Sequence, residues 1–102
     1  VQWMAPEVLA NEHYSEAADV YSFAIVVWEM LTAKCPYDGL SQVQVAVEVA
    51  HKQQRPPLPP QLPPGLRNII VACWQHDADN RPCMGDVLVR LREAFPGRGG
   101  ER

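Results

Sequence analysis

Asp19-Val20-Tyr21-Ser22-Phe23-Ala24-Ile25-Val26-Val27-Trp28-Glu29-Met30-Leu31 carries the strongest helical signal in the chain. Apolar side chains wrap most of its circumference at helical spacing, so the segment from about Glu16 to Thr32 reads as a buried central helix rather than a surface one. A buried strand has the same composition, but the length of the run favours a helix. The unbroken apolar core of the run, Phe23 to Trp28, is far too short to span a bilayer.

Working outward, Pro6-Glu7-Val8-Leu9-Ala10 reads as one helical turn, since proline suits the first helical position. The polar residues Asn11 to Ser15 make a loop before the central helix. After it, Lys34-Cys35-Pro36-Tyr37-Asp38-Gly39 is a turn broken by Pro and Asp-Gly. Val43, Val45, Val47 and Val49 then alternate with Gln44, Ala46 and Glu48, a period-two pattern of β-branched residues that reads on its own as a strand. Residues 55–65 hold most of the chain's prolines and form extended polyproline-type structure, because each proline lacks an N–H and clashes with a preceding helical turn. Leu66, Ile69, Ile70, Cys73 and Trp74 fall on one helical stripe. Met84, Val87, Leu88, Leu91 and Phe95 fall on another, which Pro96 ends. Residues 96–102 are expected to be a disordered tail.

A chain of 102 residues holds one small domain at most. With 47% apolar and 21% charged residues it has globular rather than disordered composition. A net charge of -3 argues against nucleic-acid binding, and no basic cluster suggests an anionic membrane surface. Cys35, Cys73 and Cys83 form no Cys-x-x-Cys pair. Cys73 and His76 make a Cys-x-x-His near Asp77 and Asp79, but a second ligand pair is missing, so all three cysteines are expected to be buried free thiols. The start at Val1 looks like a cut. No signal peptide is visible, and an intracellular, soluble setting fits, although the sequence encodes no location.

Three separated elements resemble one family, in its order and at matching spacing. Trp3-Met4-Ala5-Pro6-Glu7 resembles the Ala-Pro-Glu motif that closes a protein-kinase activation segment. The stretch from Asp19 to Leu31 is similar to the family's central helix F. Cys73-Trp74, followed by Asp77 and Asn80-Arg81-Pro82, is similar to the segment that carries the family's late arginine. The wording resembles the tyrosine-kinase-like branch, most of which phosphorylates serine or threonine.

The resemblance implies a mainly α fold, the helical C-lobe of a kinase with helices EF, F, G, H and I. It covers residues 1–95 and leaves the N-lobe and the catalytic loop upstream of Val1. It assigns 41–51 to helix G and so overrules the strand reading. It pairs Glu7 with Arg81 in a buried structural ion pair, for which a guanidinium fork suits a carboxylate. It gives Asp19, near the start of the central helix, the task of bracing the catalytic loop, with its carboxylate also placed to accept backbone N–H bonds. It places Trp3 and Met4 at the pocket for the substrate residue that follows the phosphoacceptor, and both could equally be packing residues. Two departures stand out: Ala24 where glycine is usual, and Cys83 where Ser or Thr would offer an N-cap oxygen.

Phosphoryl transfer needs a glycine-rich loop, a positioned lysine, a catalytic aspartate and metal-binding Asp and Asn residues. The sequence has no Gly-x-Gly-x-x-Gly, no Asp-Phe-Gly, and no His-Arg-Asp at His13, His51 or His76. No catalytic, cofactor-binding or metal-binding residue is therefore expected within the chain. ATP and Mg2+ would belong to the parent kinase, whose partner is a protein substrate, and the isolated chain should be inactive. The alternatives are the scaffold portion of a pseudokinase, or an SH3/WW ligand in Pro56-Pro57-Leu58-Pro59 and Pro60-Gln61-Leu62-Pro63. The bland reading of that segment, a connection between two helices, is favoured because Leu58 breaks the Arg55-led pattern.

Overall fold

In the computed structural model the described residues are 1–94, without Asn11 and His13. The expected tail at 96–102, Pro96 as a stop, and the place of Phe95 on the last helix lie outside them. Helices dominate: α1 (Pro6–Leu9), α2 (Glu16–Thr32), α3 (Gln42–Ala46), α4 (Pro64–Cys73) and α5 (Met84–Ala94). A π-helical turn, Val47–His51, follows α3, and a 3-10 turn, Ala78–Asn80, precedes α5. There is no strand among the described residues.

The central helix α2 leaves an extended Ser15 and stops at Ala33, whose left-handed φ of 56° turns the chain away while its N–H still reaches the Glu29 carbonyl at 2.8 Å. Val20, Tyr21, Ala24, Ile25 and Trp28 are buried along one side. They pack against α4, which buries Leu66, Ile69, Ile70 and Cys73, and α5 closes the other flank of α4. Each fully buried aliphatic side chain here contributes about 1.5–3 kcal/mol. Ala24, where the family usually has glycine, is 1% exposed, so its methyl sits inside this packed seam.

Burial all round α2 is not what the structure shows. Val26, Met30 and Leu31 are exposed, Met30 by 77%. A helix buries only the arc that neighbours cover, and here α4 and the elements beside it cover one side. The same geometry corrects Leu88: α5 turns Met84, Val87, Leu91 and Ala94 toward the core, and Leu88, one step past Val87, lies in solvent. Cys73 is buried as expected, but Cys35 and Cys83 are exposed.

The valine alternation forms a helix, as the family resemblance required. At 100° per residue the four valines are two interleaved i, i+4 pairs. Val45 and Val49 are each 1% exposed and face the core, while Val43 and Val47 face outward. Ser41 starts the helix with a reciprocal cap: its Oγ accepts from the Gln44 N–H at 3.2 Å, and its own N–H donates to Gln44 Oε1 at 2.8 Å. The Ser-x-x-Gln spacing was the local signal that could have rejected the strand.

The proline-rich stretch is extended and docked on the domain. Pro56 is buried, Trp28 Nε1 donates to the Pro57 carbonyl at 2.7 Å, and Arg67 Nη2 donates to the Pro59 carbonyl at 2.7 Å. These bonds and the burial of Pro56 fix the segment as the connection that leads into α4. Pro64 then opens α4 from the first helical turn, where its missing N–H costs nothing.

Candidate functional site

Arg81 is the centre of the polar structure. Asp77 accepts from the Asp79 N–H at 3.0 Å and so caps the turn Ala78–Asn80, after which Arg81 emerges extended with its side chain directed inward. α1 presents Glu7 from the far end of the sequence. Arg81 Nη1 donates to Glu7 Oε2 and Nη2 to Glu7 Oε1, both at 2.8 Å, between residues 74 apart. The arginine side chain is 0% exposed and the glutamate 14%.

The remaining donors of the guanidinium meet backbone carbonyls. Nε donates to Gln75 at 2.8 Å, Nη1 to Ala17 at 2.9 Å, and Nη2 to His76 at 3.2 Å. All five N–H groups are thereby used. One side chain ties α1, the first turn of α2 and the segment after α4 into one body. Burial alone would push the Glu7 carboxyl up. The Arg81 hydrogen bonds, a backbone N–H and the charges of Arg81 and His76 outweigh it and hold the group below its ordinary value.

Arg81 also lies over the Tyr21 ring, 5.1 Å from its centroid, and Arg55 lies over the same ring at 5.0 Å. Burial pushes the Tyr21 phenol up. Its hydroxyl is buried and makes no bond of good hydrogen-bond geometry among the described residues, although the Tyr37 hydroxyl lies close enough to interact with it.

Trp3 lies against α2, and it and Met4 are 37% and 38% exposed. Trp3 Nε1 donates to Glu29 Oε1 at 3.0 Å, and its carbonyl accepts from Ser22 Oγ at 2.6 Å. The pair is anchored by the tryptophan yet remains open to solvent. Asp19 sits in the first turns of α2, exposed, and accepts a hydrogen bond from the Tyr14 hydroxyl. No backbone N–H bond to its carboxylate is made within the described residues. Asp19 lies four residues past Ser15, too deep in the helix to reach the free N–H groups of the first turn.

Glu7 and Arg81 thus come together, whereas Asp19 is exposed on α2 and Trp3 and Met4 are exposed in the segment before α1. The sequence reading missed Arg55, and it missed the carbonyls of Ala17, Gln75 and His76, which leave no mark in a side-chain pattern. The cluster is built to hold rather than to react. Glu7 is committed to Arg81, and burial pushes the Cys73 thiol up to about 11, so it stays protonated. No three His, Cys, Asp or Glu side chains among the described residues could hold a metal ion. No helix among them is long and apolar enough to cross a membrane.

Comparison with known proteins agrees with this architecture. Residues 1–91 match the family model described as protein tyrosine and serine/threonine kinase. The chain is 42% identical over 92 residues to the dual specificity protein kinase shkD of Dictyostelium discoideum, a match covering 89% of this chain and 12% of that protein. It is 41% identical over 92 residues to the serine/threonine/tyrosine-protein kinase HT1 of Arabidopsis thaliana, covering 90% of this chain and 24% of the relative. It is 43% identical over 89 residues to the probable serine/threonine-protein kinase drkC of Dictyostelium discoideum, covering 87% and 12%. The chain therefore spans a quarter or less of the length of these relatives. With its helices in the C-lobe arrangement and its family match running from Val1 to Leu91, the chain belongs to the protein tyrosine and serine/threonine kinase family.

Proposed function

We propose that this chain is the structural and substrate-docking part of a kinase catalytic domain that transfers the γ-phosphate of ATP to serine or threonine of a protein substrate, with tyrosine a lesser acceptor. The observation that carries this reading is the bidentate Glu7–Arg81 pair with every arginine donor satisfied. Such a pair fixes the end of the Trp3–Glu7 segment against the helical body. Trp3 and Met4, beside it and half open, are then positioned to meet the substrate residue after the phosphoacceptor. Asp19, exposed on α2, is positioned to brace a catalytic loop.

The residues present do not fit ATP or Mg2+. The sequence contains no glycine-rich phosphate loop, and the described carboxylates and histidines do not converge. The chain by itself is accordingly expected to turn over no ATP.

A chimera tests the proposal. Residues 1–91 replace the matching stretch of the Arabidopsis thaliana HT1 kinase, and phosphate transfer to casein is followed with the modified residues identified by mass spectrometry. Transfer mainly to serine and threonine is expected, lost on Arg81→Ala. A folded chimera without activity would overturn the reading. So would ATP turnover by the isolated chain that a substitution inside it abolishes.

A further inference from the structure

Glu29 is a half-buried carboxylate that the Glu7–Arg81 cluster does not use, and it forms no ion pair among the described residues. What it meets instead is the Trp3 indole, whose Nε1 donates to Glu29 Oε1 at 3.0 Å. Two turns earlier on α2, Ser22 Oγ donates to the Trp3 carbonyl at 2.6 Å. Residues seven apart return to the same helix face and stand about 10 Å apart along the axis. Trp3 is therefore attached to α2 at two points, by its main chain at one and by the edge of its ring at the other. One bond would leave the ring free to turn; two fix both its place and its rotation.

The support behind this contact is rigid. Val20, Tyr21, Ala24, Ile25 and Trp28 bury the core side of α2, and the Glu29 carbonyl accepts from the Ala33 N–H at 2.8 Å where the helix ends. At the other end of the segment Glu7 is held by both Nη groups of Arg81. Between them the Met4 N–H donates to the Val1 carbonyl at 3.1 Å. The stretch Trp3–Glu7 is thus clamped at both ends, and Glu29 is the part of the clamp that reaches the Trp3 side chain.

The donor count then sets what Trp3 and Met4 can offer a substrate. An indole has a single N–H donor and a methionine side chain has none. The Trp3 donor is spent on Glu29, so the two side chains, each more than a third exposed, present surface without a hydrogen-bond donor. A polar residue docked there loses its bonds to water without replacement, whereas an apolar residue loses none.

We propose that Glu29 is the positioning residue of the docking site: by holding the Trp3 indole through Nε1 it makes the site select an apolar residue after the phosphoacceptor over a polar one of similar size. This role rests on the reading of Trp3 and Met4 as the substrate-docking pair, and adds to it the residue that sets specificity and the class of substrate favoured.

The chimera that carries residues 1–91 in the HT1 kinase is assayed with three serine peptides that differ only in leucine, glutamine or lysine after the acceptor. The leucine peptide is expected to have the lowest KM. Glu29→Ala should raise that KM about fivefold, the scale of one hydrogen bond, with kcat and the KM for ATP unchanged. The glutamine peptide should change little, so that the preference narrows. Glu29→Gln keeps an amide oxygen for the indole and should retain the preference. Trp3→Phe keeps a ring without the donor and should narrow it as Glu29→Ala does.

An equal loss with all three peptides would show a purely structural role, and an unchanged KM for the leucine peptide in Glu29→Ala would show no role. A preference for lysine that Glu29→Gln abolishes would show that Glu29 meets the substrate itself. Each of these results in an active chimera, or the lack of any preference for leucine, overturns this inference and leaves the kinase reading standing. A folded chimera without activity overturns both.

Discussion

Two arginines lie over the same Tyr21 ring at nearly the same distance, 5.1 Å for Arg81 and 5.0 Å for Arg55, and their surroundings could hardly differ more. Arg81 is sealed, with a carboxylate and three carbonyls on its five N–H groups. Arg55 is half-buried and bonded to two carbonyls, with no carboxylate partner among the described residues. A guanidinium whose donors are all consumed by its own chain has nothing left for a ligand and serves architecture. One that meets two carbonyls and no carboxylate ties fewer elements together. Burial alone does not separate these roles; the donor inventory does.

The comparison breaks first at Arg81. Arg81→Ala strands a largely buried Glu7 carboxylate and three carbonyls, and the expected loss of stability is roughly 3–5 kcal/mol, read from urea unfolding. If Arg81→Ala cost no more than Arg55→Ala, the distinction between sealed and open arginines would be wrong.

Acid provides a gentler probe of the same cluster. The folded Glu7 carboxyl lies below its unfolded value near 4.5, so the folded state holds fewer protons there. The stability this contributes is fully present above that unfolded value and is lost as pH falls through the folded one. Thermal melts from pH 6 down to pH 3 should show the loss, and Glu7→Gln should flatten it.

On the open side the effects shrink. Trp28→Phe keeps the ring in the core but removes the donor to Pro57, an expected cost of about 1 kcal/mol. It should also loosen the docked proline segment, which lines one groove with Cys35, and this would appear as faster alkylation of Cys35. Between the two arginines, Tyr21→Phe removes a buried hydroxyl whose one neighbour, the Tyr37 hydroxyl, stands outside good hydrogen-bond geometry. The expected change is close to zero or a slight gain, since deleting an unsatisfied polar atom relieves its desolvation. A loss of several kcal/mol would mean that the hydroxyl has a bonding role.

Much of this was legible beforehand. The bounds of α2 follow from the apolar run after Ser15, and α4 and α5 follow from their stripes. The family motifs named Glu7 and Arg81. The valines at 43–49 were misleading locally because a period of two and a pair of i, i+4 sets produce the same residue list; the Ser41–Gln44 cap resolves it. The exposure of Met30 and Leu88 was not legible, because apolar character says that a face can be buried and not that a neighbour covers it.

The sequence by itself therefore determined α1, α2, α4 and α5 from helix spacing, and the family, with the helical state of 41–51, from short motifs. Tertiary structure alone decided that Arg81 would find carbonyls from Ala17, Gln75 and His76, and that Arg55 would reach the carbonyl of Trp74. Backbone carbonyls are the same in every residue. Which of them an arginine meets depends on how separate elements pack, and no local pattern encodes that.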